Sequence, residues 1–240
     1  MIKAIVTDIE GTTTSLSFVK DILFPYAKKN IAEFVRKNQN DPKVSSLIND
    51  VEKEAGYAST YKQDVKPDVK ADIEQCIKQL IDWIDEDKKI TPLKALQGLI
   101  WEAGYSQGDY TGHVYQDAYR QLSQWHEQGI KLYVYSSGSV YAQKLLYGYS
   151  DYSDMTPLFT DYFDTKVGAK TKINSYQKII KSISLPGDEI LFLSDITQEL
   201  DAAKAAGMHT MLLERETNCT ENKSQHNCVN DFSKINLDNV

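Results

Sequence analysis

Six residues of this 240-residue sequence carry charge or a hydroxyl group and lie directly after an apolar run or in a short loop. In chain order they are Asp8, Glu10, Ser136, Ser137, Lys170 and Asp195. Three carboxylates that lie close together repel one another unless a cation lies between them. Carboxylate oxygens with open water positions suit Mg²⁺. The residue types therefore indicate a magnesium-assisted reaction at an anionic group, provided that the fold brings the six residues together.

The chemistry that such a set favours is phosphoryl transfer. Lys170 and a divalent cation neutralise the phosphoryl oxygens, which Ser136 and the backbone N–H groups near Gly11 and Gly138 can hold. A carboxylate beside the metal ion then attacks phosphorus and forms an acyl phosphate, while a second carboxylate transfers protons. Each residue also has an ordinary structural use, because an aspartate after a strand often forms a turn or caps a helix. Only the combination is specific.

The apolar runs before these residues predict the strands of a parallel sheet. They lack polar alternation, which is typical of strands covered on both faces. Amphipathic helical patterns separate the runs in the second half of the sequence. This alternation predicts an α/β sheet with right-handed crossovers, which binds ligands beyond the carboxyl ends of its strands. The predicted strands are 2–6, 130–135, 189–193 and 208–213, with short additional strands at Tyr162–Phe163 and at Val229.

A helical block interrupts this α/β pattern after its first strand. Residues 16–112 show almost no strand pattern and several amphipathic stripes. One of these helices is predicted to begin with Thr91 as N-cap and Pro92 as its first residue, and to end before Gly104. We therefore predict an α/β core formed by residues 1–15 and 113–240, and an inserted helical cap domain formed by residues 16–112.

Charge and composition reduce the number of function classes. The 34 acidic and 27 basic residues give a net charge of -7, which argues against a nucleic-acid surface. No apolar run is long enough to span a bilayer. The apolar run at the amino terminus is too short for the apolar region of a secretory signal peptide. We expect a cytoplasmic monomer with a small-molecule phosphate substrate and with no nucleic-acid or membrane partner.

The cysteines are expected to be reduced in the cytoplasm. Cys219 and Cys228 lie with His226 in a polar stretch, but their spacing fits no standard zinc pattern. We therefore expect residues 214–227 to form a solvated loop.

The candidate residues resemble the motifs of a known superfamily. The segment from Asp8 to Thr13, DIEGTT, resembles the DxDGT signature of the haloacid dehalogenase-like phosphatases. Ser136, Lys170 and Asp195 resemble the second, third and fourth motifs of that superfamily. Longer segments are similar to the enolase-phosphatases, also called acireductone synthases, of methionine salvage. These segments are TPLKALQGLIWEAGY, YSSGSVYAQKLL, LFTDYFDTKVGAK and ILFLSDI, and the resemblance covers residues 2–213.

This resemblance implies a Rossmann-like core with an inserted helical cap and a two-step reaction. The substrate would be 2,3-diketo-5-methylthiopentyl 1-phosphate, which is enolised and then dephosphorylated to acireductone. Asp8 would be the nucleophile and a Mg²⁺ ligand, and Glu10 would give a main-chain ligand and transfer protons. Asp195 would complete the protein ligands of one Mg²⁺ per subunit. The substrate-binding residues would be Ser136, Ser137 and Lys170, with Lys170 also anchoring the nucleophile.

Glu10 departs from the superfamily, in which aspartate is usual at this position. Its extra methylene places the carboxyl group about one bond further from the backbone, which suits proton transfer at carbon as well as at oxygen. The base of the enolisation stays open between Glu10, Lys170 and Glu102. Two other function classes also stay open. One is another Mg²⁺-dependent capped phosphatase or a phosphomutase, and the other is a non-catalytic binding module on the same fold.

Overall fold

The structure, a computed structural model, describes residues 1–57, 72–215, 219 and 225–239. The chain divides into two compact units, one formed by Met1–Phe18 and Thr111–Val240 and the other by Val19–Tyr110. Within the described ranges, no helix is both long and apolar enough to cross a membrane.

A six-stranded parallel sheet organises the first unit and confirms the predicted α/β class. Its strands are β1 (Ala4–Thr7), β2 (Lys131–Tyr135), β3 (Phe159–Phe163), β4 (Ile190–Ser194), β5 (His209–Leu213) and β6 (Asn227–Val229). The strand order is β3-β2-β1-β4-β5-β6. Strands β2 and β3 therefore lie on one side of β1, and the later strands β4, β5 and β6 lie on its other side. Ligands of such sheets bind at the carboxyl edge, where the order reverses.

Eight α-helices complete the described parts of the two units. They are α1 (Phe24–Asn38), α2 (Pro42–Glu54), α3 (Ile73–Asp85), α4 (Thr91–Gln107), α5 (Gln116–Glu127), α6 (Val140–Gly148), α7 (Ile173–Ile183) and α8 (Thr197–Ala205). A π-helical turn, Phe18–Leu23, precedes α1. The first four helices belong to the second unit and bury a core of their own. The last four connect the strands of the first unit, whose central strands are buried along their whole length.

The structure corrects both ends predicted for α4. Thr91 is the first residue of this helix and not its N-cap. The helix also continues past Gly104 and ends before Gly108, whose φ of 77° is left-handed. A Cβ on Gly104 would lie 2.7 Å from the ring of Tyr110 and 2.9 Å from that of Tyr26. This glycine therefore allows two rings to pack against the helix and does not terminate it.

Cys219 and Cys228 form a disulfide bond, so the prediction of reduced cysteines is wrong for this pair. The cause is a long-range contact, because β6 pairs with β5 and places Cys228 beside Leu212. This pairing brings the chain back beside the end of β5. The Cα atoms of Cys219 and Cys228 are 5.7 Å apart. Cys76 is free and buried. The predicted polar loop at 214–227 lies mostly outside the described residues.

Reduction of this disulfide is expected to lower the melting temperature by about 5–10 °C. The two cysteines are 9 residues apart in the sequence. Closing a loop of that size removes chain entropy worth about 2–3 kcal/mol from the unfolded state. Thermal unfolding with and without dithiothreitol measures the effect, and Cys228→Ser should reproduce it. Cys76→Ser is the matched control, which should keep the response to reductant. Identical melting of the wild type under both conditions contradicts the prediction.

Candidate active site

Asp8, Ser136 and Asp195 leave the same edge of the parallel sheet. Strand β1 pairs with β2 on one side and with β4 on the other, with their carboxyl ends in register. The ladder continues to the site residues, because the N–H of Asp8 donates to the carbonyl of Leu193 at 2.9 Å. The N–H of Ser136 likewise donates to the carbonyl of Phe163 at 3.2 Å. The hydrogen bonds of the sheet therefore fix the backbone from which these candidate side chains project.

Lys170 lies between two carboxylates at the centre of the candidate site. Its Nζ is 2.6 Å from Oδ1 of Asp8 and 2.6 Å from Oε2 of Glu199. The three side chains are only 6%, 7% and 11% exposed, respectively. Oγ of Ser194 donates a further hydrogen bond to Oε2 of Glu199 at 2.9 Å. One ammonium group and two carboxylates leave an excess of negative charge, which favours an additional cation.

The loop that carries Lys170 is held by hydroxyl groups from the core. The carbonyls of residues 168–170 accept hydrogen bonds from Tyr135, Ser175 and Tyr176, in that order, at 3.0, 2.8 and 2.7 Å. Tyr135 belongs to β2, whereas Ser175 and Tyr176 belong to α7. The backbone at Lys170 is therefore fixed before any ligand binds.

Lys170 stays protonated in this arrangement. Burial lowers the pKa of its ammonium group, but the carboxylates of Asp8 and Glu199 outweigh burial and raise that pKa above the ordinary value of lysine. A lysine held in this way cannot remove a proton from carbon, which argues against Lys170 as the enolisation base. Glu102 is exposed on α4, in the second unit. Of the two remaining candidate bases, Glu10 lies in the first unit, together with Asp8 and Asp195.

Asp195 combines burial with an oxygen that has no partner. Its Oδ1 is buried and makes no hydrogen bond with the described part of the chain. Burial, and then the charge of Asp8, raise the pKa of Asp195 to about 7. Gly11 packs against this carboxyl group, since a Cβ on Gly11 would lie 2.2 Å from Oδ2 of Asp195. Two adjacent carboxyl groups, one with an unpartnered oxygen, fit a hard divalent cation such as Mg²⁺.

The other predicted residues differ in their exposure. Ser136 is buried, whereas Ser137 and Glu10 are exposed. The N–H of Gly138 donates to Oγ of Ser136 at 3.1 Å. The N–H of Gly11 donates to a carbonyl three residues further on at 2.8 Å. Both glycine N–H groups are therefore engaged within their own turns, and in this structure they are not available to a phosphoryl group.

Glu199 is a site residue that the sequence does not reveal to us. It lies in the first turn of α8, four residues after Asp195. Burial, and then the charge of Asp8, raise its pKa. A sequence signal exists, since residues four apart share one side of a helix. An acidic residue in a first turn, however, also complements the helix dipole, so the pattern alone does not distinguish the two roles.

Mg²⁺ is expected to stabilise the protein more at pH 8 than at pH 5.5. Native Asp195 keeps its proton up to a pKa of about 7, whereas an unfolded aspartate loses its proton near pH 3.9. The native state therefore binds the additional proton between these values, and the free energy of unfolding falls as pH rises through that window. A divalent ion at this carboxylate favours its charged form and opposes the loss.

Melting temperatures in EDTA and in Mg²⁺, at both pH values, test this expectation. Asp195→Asn should remove the pH dependence of the Mg²⁺ effect, because the amide does not titrate. Asp161→Asn changes an exposed aspartate in β3 and serves as the control. An equal stabilisation by Mg²⁺ at both pH values contradicts the role given to Asp195.

The sheet order and the buried cluster of Asp8, Lys170 and Glu199 are compatible with one class of hydrolase. The family model of haloacid dehalogenase-like hydrolases matches residues 2–207. Similar proteins identify a particular family within this class of hydrolases. The chain is 55% identical to Enolase-phosphatase E1 of Methylococcus capsulatus, over 90% of each chain. It is 51% identical to Enolase-phosphatase E1 of Thioalkalivibrio sulfidiphilus, over 98% of this chain and 99% of that protein. The chain therefore belongs to the enolase-phosphatase family, which confirms the predicted resemblance.

A solved structure supports the same fold. The crystal structure of the UTR4 protein of Saccharomyces cerevisiae is 31% identical to this chain, with a TM-score of 0.79. The match covers 98% of this chain and 100% of that one.

Proposed function

We propose that this protein is a bifunctional enolase-phosphatase of methionine salvage, with 2,3-diketo-5-methylthiopentyl 1-phosphate as substrate. The observation that carries the proposal is the identity of 51–55% to proteins named Enolase-phosphatase E1 along at least 90% of the chain. The buried cluster of Asp8, Lys170 and Glu199 supports a phosphatase, because it places a nucleophilic carboxylate beside a fixed cation.

In this proposal Asp8, Asp195 and the main chain of Glu10 hold one Mg²⁺ per subunit. When bound, the ion supplies positive charge to the phosphoryl and carbonyl oxygens of the substrate. Oδ1 of Asp195 has no hydrogen-bond partner among the described residues, and this oxygen and the raised pKa of Asp195 support the assignment. Its carboxyl group also lies against the turn that carries Gly11, which follows Glu10 in the chain.

Asp8 is the nucleophile of the phosphatase step. One of its carboxylate oxygens forms a bond to phosphorus while the bond between phosphorus and the enol oxygen of the substrate breaks. Glu10 gives a proton to that leaving oxygen and then takes one from the water that hydrolyses the aspartyl phosphate. Lys170 pairs with Asp8 and neutralises the transferring phosphoryl group, and Ser136 and Ser137 bind the phosphoryl oxygens.

Glu10 is also the proposed base of the enolisation. The proton to be removed lies on the carbon that bears the phosphate ester and adjoins the diketone, so it is already acidified. Glu10 is exposed in the structure, so its carboxyl group is accessible to a bound substrate. The same side chain would thus transfer protons at carbon first and at oxygen later.

Glu10→Asp is expected to slow the enolisation by up to about 10²-fold, because the shorter side chain withdraws the carboxyl group from carbon. Enol absorbance after mixing with the diketone phosphate measures this step, and phosphate release measures the second. Glu10→Gln is the companion variant, which should lose both steps. If Glu10→Asp leaves both rates unchanged, the length of this side chain has no role in the reaction.

The remaining assignments complete the proposed enzyme. The helical unit Val19–Tyr110 is the cap of the family, as the resemblance implies. We propose a cytoplasmic location, because a phosphorylated substrate does not cross a bilayer unaided and stays in the compartment that holds it. We propose a monomer, which light scattering of the purified protein tests directly.

One assay separates the proposed function from its alternatives. Purified protein is mixed with 2,3-diketo-5-methylthiopentyl 1-phosphate and Mg²⁺, and enol absorbance and phosphate are followed together. The expected result is enol formation followed by one phosphate per substrate. Phosphate release without enol absorbance indicates another phosphatase of the same superfamily. Binding of the substrate without turnover indicates a binding module. Both of these outcomes overturn the proposal.

A further inference from the structure

Arg215 lies outside the site described above but contacts the turn that carries its catalytic residues. Its Nε and Nη2 both donate to the carbonyl of Thr12, at 2.9 and 2.7 Å. The side chain of Arg215 is 7% exposed, and Thr12 is fully buried. Two charge-assisted hydrogen bonds thus converge on a single carbonyl out of contact with water.

Other groups hold the guanidinium in this position. Its Nη1 is 2.6 Å from Oδ2 of Asp117, which also accepts a hydrogen bond from the N–H of Phe232 at 2.8 Å. The rings of Tyr115 and Phe232 lie 4.3 and 5.0 Å from its central carbon. A buried charge is costly unless it is paired, and an apolar side chain would fill the same space at less cost. The retained charge therefore suggests a positional role in addition to packing.

The contacted turn follows Asp8 directly in the chain and is closed by its own hydrogen bonds. The carbonyl of Ile9 accepts hydrogen bonds from three successive N–H groups, those of residues 12–14, at 3.2, 2.9 and 2.9 Å. Gly11 closes the turn, since its N–H donates to the carbonyl of Thr14 at 2.8 Å. A pull on the carbonyl of Thr12 is therefore transmitted to the whole turn.

The same turn lies against the second acidic residue of the site. Gly11 packs so closely on Asp195 that a Cβ would lie 2.2 Å from Oδ2. The backbone φ of Gly11 is 76°, a left-handed value that glycine adopts readily. A small shift of the turn changes the gap between the carboxyl groups of Asp8 and Asp195.

We propose that Arg215 is a positioning residue that sets the spacing of Asp8 and Asp195 through the carbonyl of Thr12. It touches neither substrate nor reacting atoms, and the inference rests on the proposed function of this site. Loss of the guanidinium releases the turn and widens the distribution of carboxylate positions. The affinity for Mg²⁺ and the turnover rate then fall, whereas KM for the diketone phosphate changes little.

Two variants test this role. Arg215→Met keeps much of the side-chain volume without the hydrogen bonds, and Arg215→Lys keeps the charge but cannot donate twice to one carbonyl while pairing with Asp117. Changes behind a metal ligand commonly cost about 10–100-fold in metal affinity or activity. We expect that loss for Arg215→Met in the Kd for Mg²⁺, measured by calorimetry without substrate, and in kcat at saturating Mg²⁺. Arg215→Lys should fall between the wild type and Arg215→Met.

Arg36→Met and Arg36→Lys are the matched controls, because Arg36 forms an exposed ion pair with Glu74 in the second unit. These two variants should leave the Kd for Mg²⁺ and kcat unchanged. If Arg215→Met does not fold, Arg215→Lys carries the test. A wild-type Kd for Mg²⁺ and a wild-type kcat in folded Arg215 variants overturn the inference, even where their melting temperature falls. Absence of Mg²⁺ binding by the wild type overturns the proposed metal site instead, so the two failures are distinguishable.

Discussion

Asp8→Asn is expected to reduce phosphate release by about 10⁴–10⁶-fold, the scale on which removal of a covalent nucleophile acts in other enzymes. The amide cannot attack phosphorus, and it loses the charge that pairs with Lys170. The fold should survive, because the amide keeps nearly the shape of the carboxyl group and Lys170 still pairs with Glu199 at 2.6 Å. Phosphate release at saturating substrate and Mg²⁺ measures the effect, with circular dichroism to establish folding.

Asp164→Asn is the matched control for this substitution. Asp164 is another buried aspartate at the carboxyl edge of the sheet, where it accepts hydrogen bonds from the N–H groups of Val140 and Lys166 at 3.3 and 2.8 Å. Its amide variant loses a structural acceptor but no reacting group, so turnover should fall far less. Substantial turnover by freshly prepared Asp8→Asn, with its mass verified against deamidation, contradicts the role of Asp8 as nucleophile.

The central strands were predictable from local sequence because they are buried on both faces. The predicted run 189–193 corresponds to β4, displaced by one residue. Helix α6 was not predicted, since Leu145, Leu146 and Tyr147 are buried in succession and hide the helical period. Helix α2 has a clear sequence signal, because its buried residues Val44, Ile48 and Val51 recur at helical spacing. The spacing of the buried apolar residues thus decides which helices and strands can be predicted from the sequence.

Some residues of the candidate site are predictable from local sequence, whereas others depend on contacts between distant parts of the chain. Asp8, Lys170 and Asp195 end strands or lie in short loops, and the rule for parallel sheets brings such positions together. Their separate functional roles remain predictions. Glu199, Arg215 and the Cys219–Cys228 disulfide depend on contacts across the fold. Arg215 follows β5, and nothing in its neighbours in the sequence indicates that it reaches Thr12. A single sequence therefore indicates the candidate reacting residues. It gives much less information about the residues that hold them in place.

Lys170→Met is expected to lower turnover by about 10³-fold and to destabilise the protein by about 3–5 kcal/mol. The loss of activity follows because the proposed function assigns to Lys170 the neutralisation of the transferring phosphoryl group. The loss of stability follows because two buried carboxylates, those of Asp8 and Glu199, lose the ammonium group 2.6 Å from each of them. Denaturant unfolding in EDTA measures the stability, and phosphate release in Mg²⁺ measures the activity.

A double variant separates these two effects. Glu199→Gln in the Lys170→Met background removes one of the two unpaired charges, so it should restore much of the stability but none of the activity. Lys172→Met, at an exposed position two residues away, should change neither quantity. Recovery of turnover together with stability in the double variant would mean that Lys170 only holds the fold. Recovery of stability alone places the charge of Lys170 in the reaction, because the fold is then restored while the ammonium group beside Asp8 is still missing.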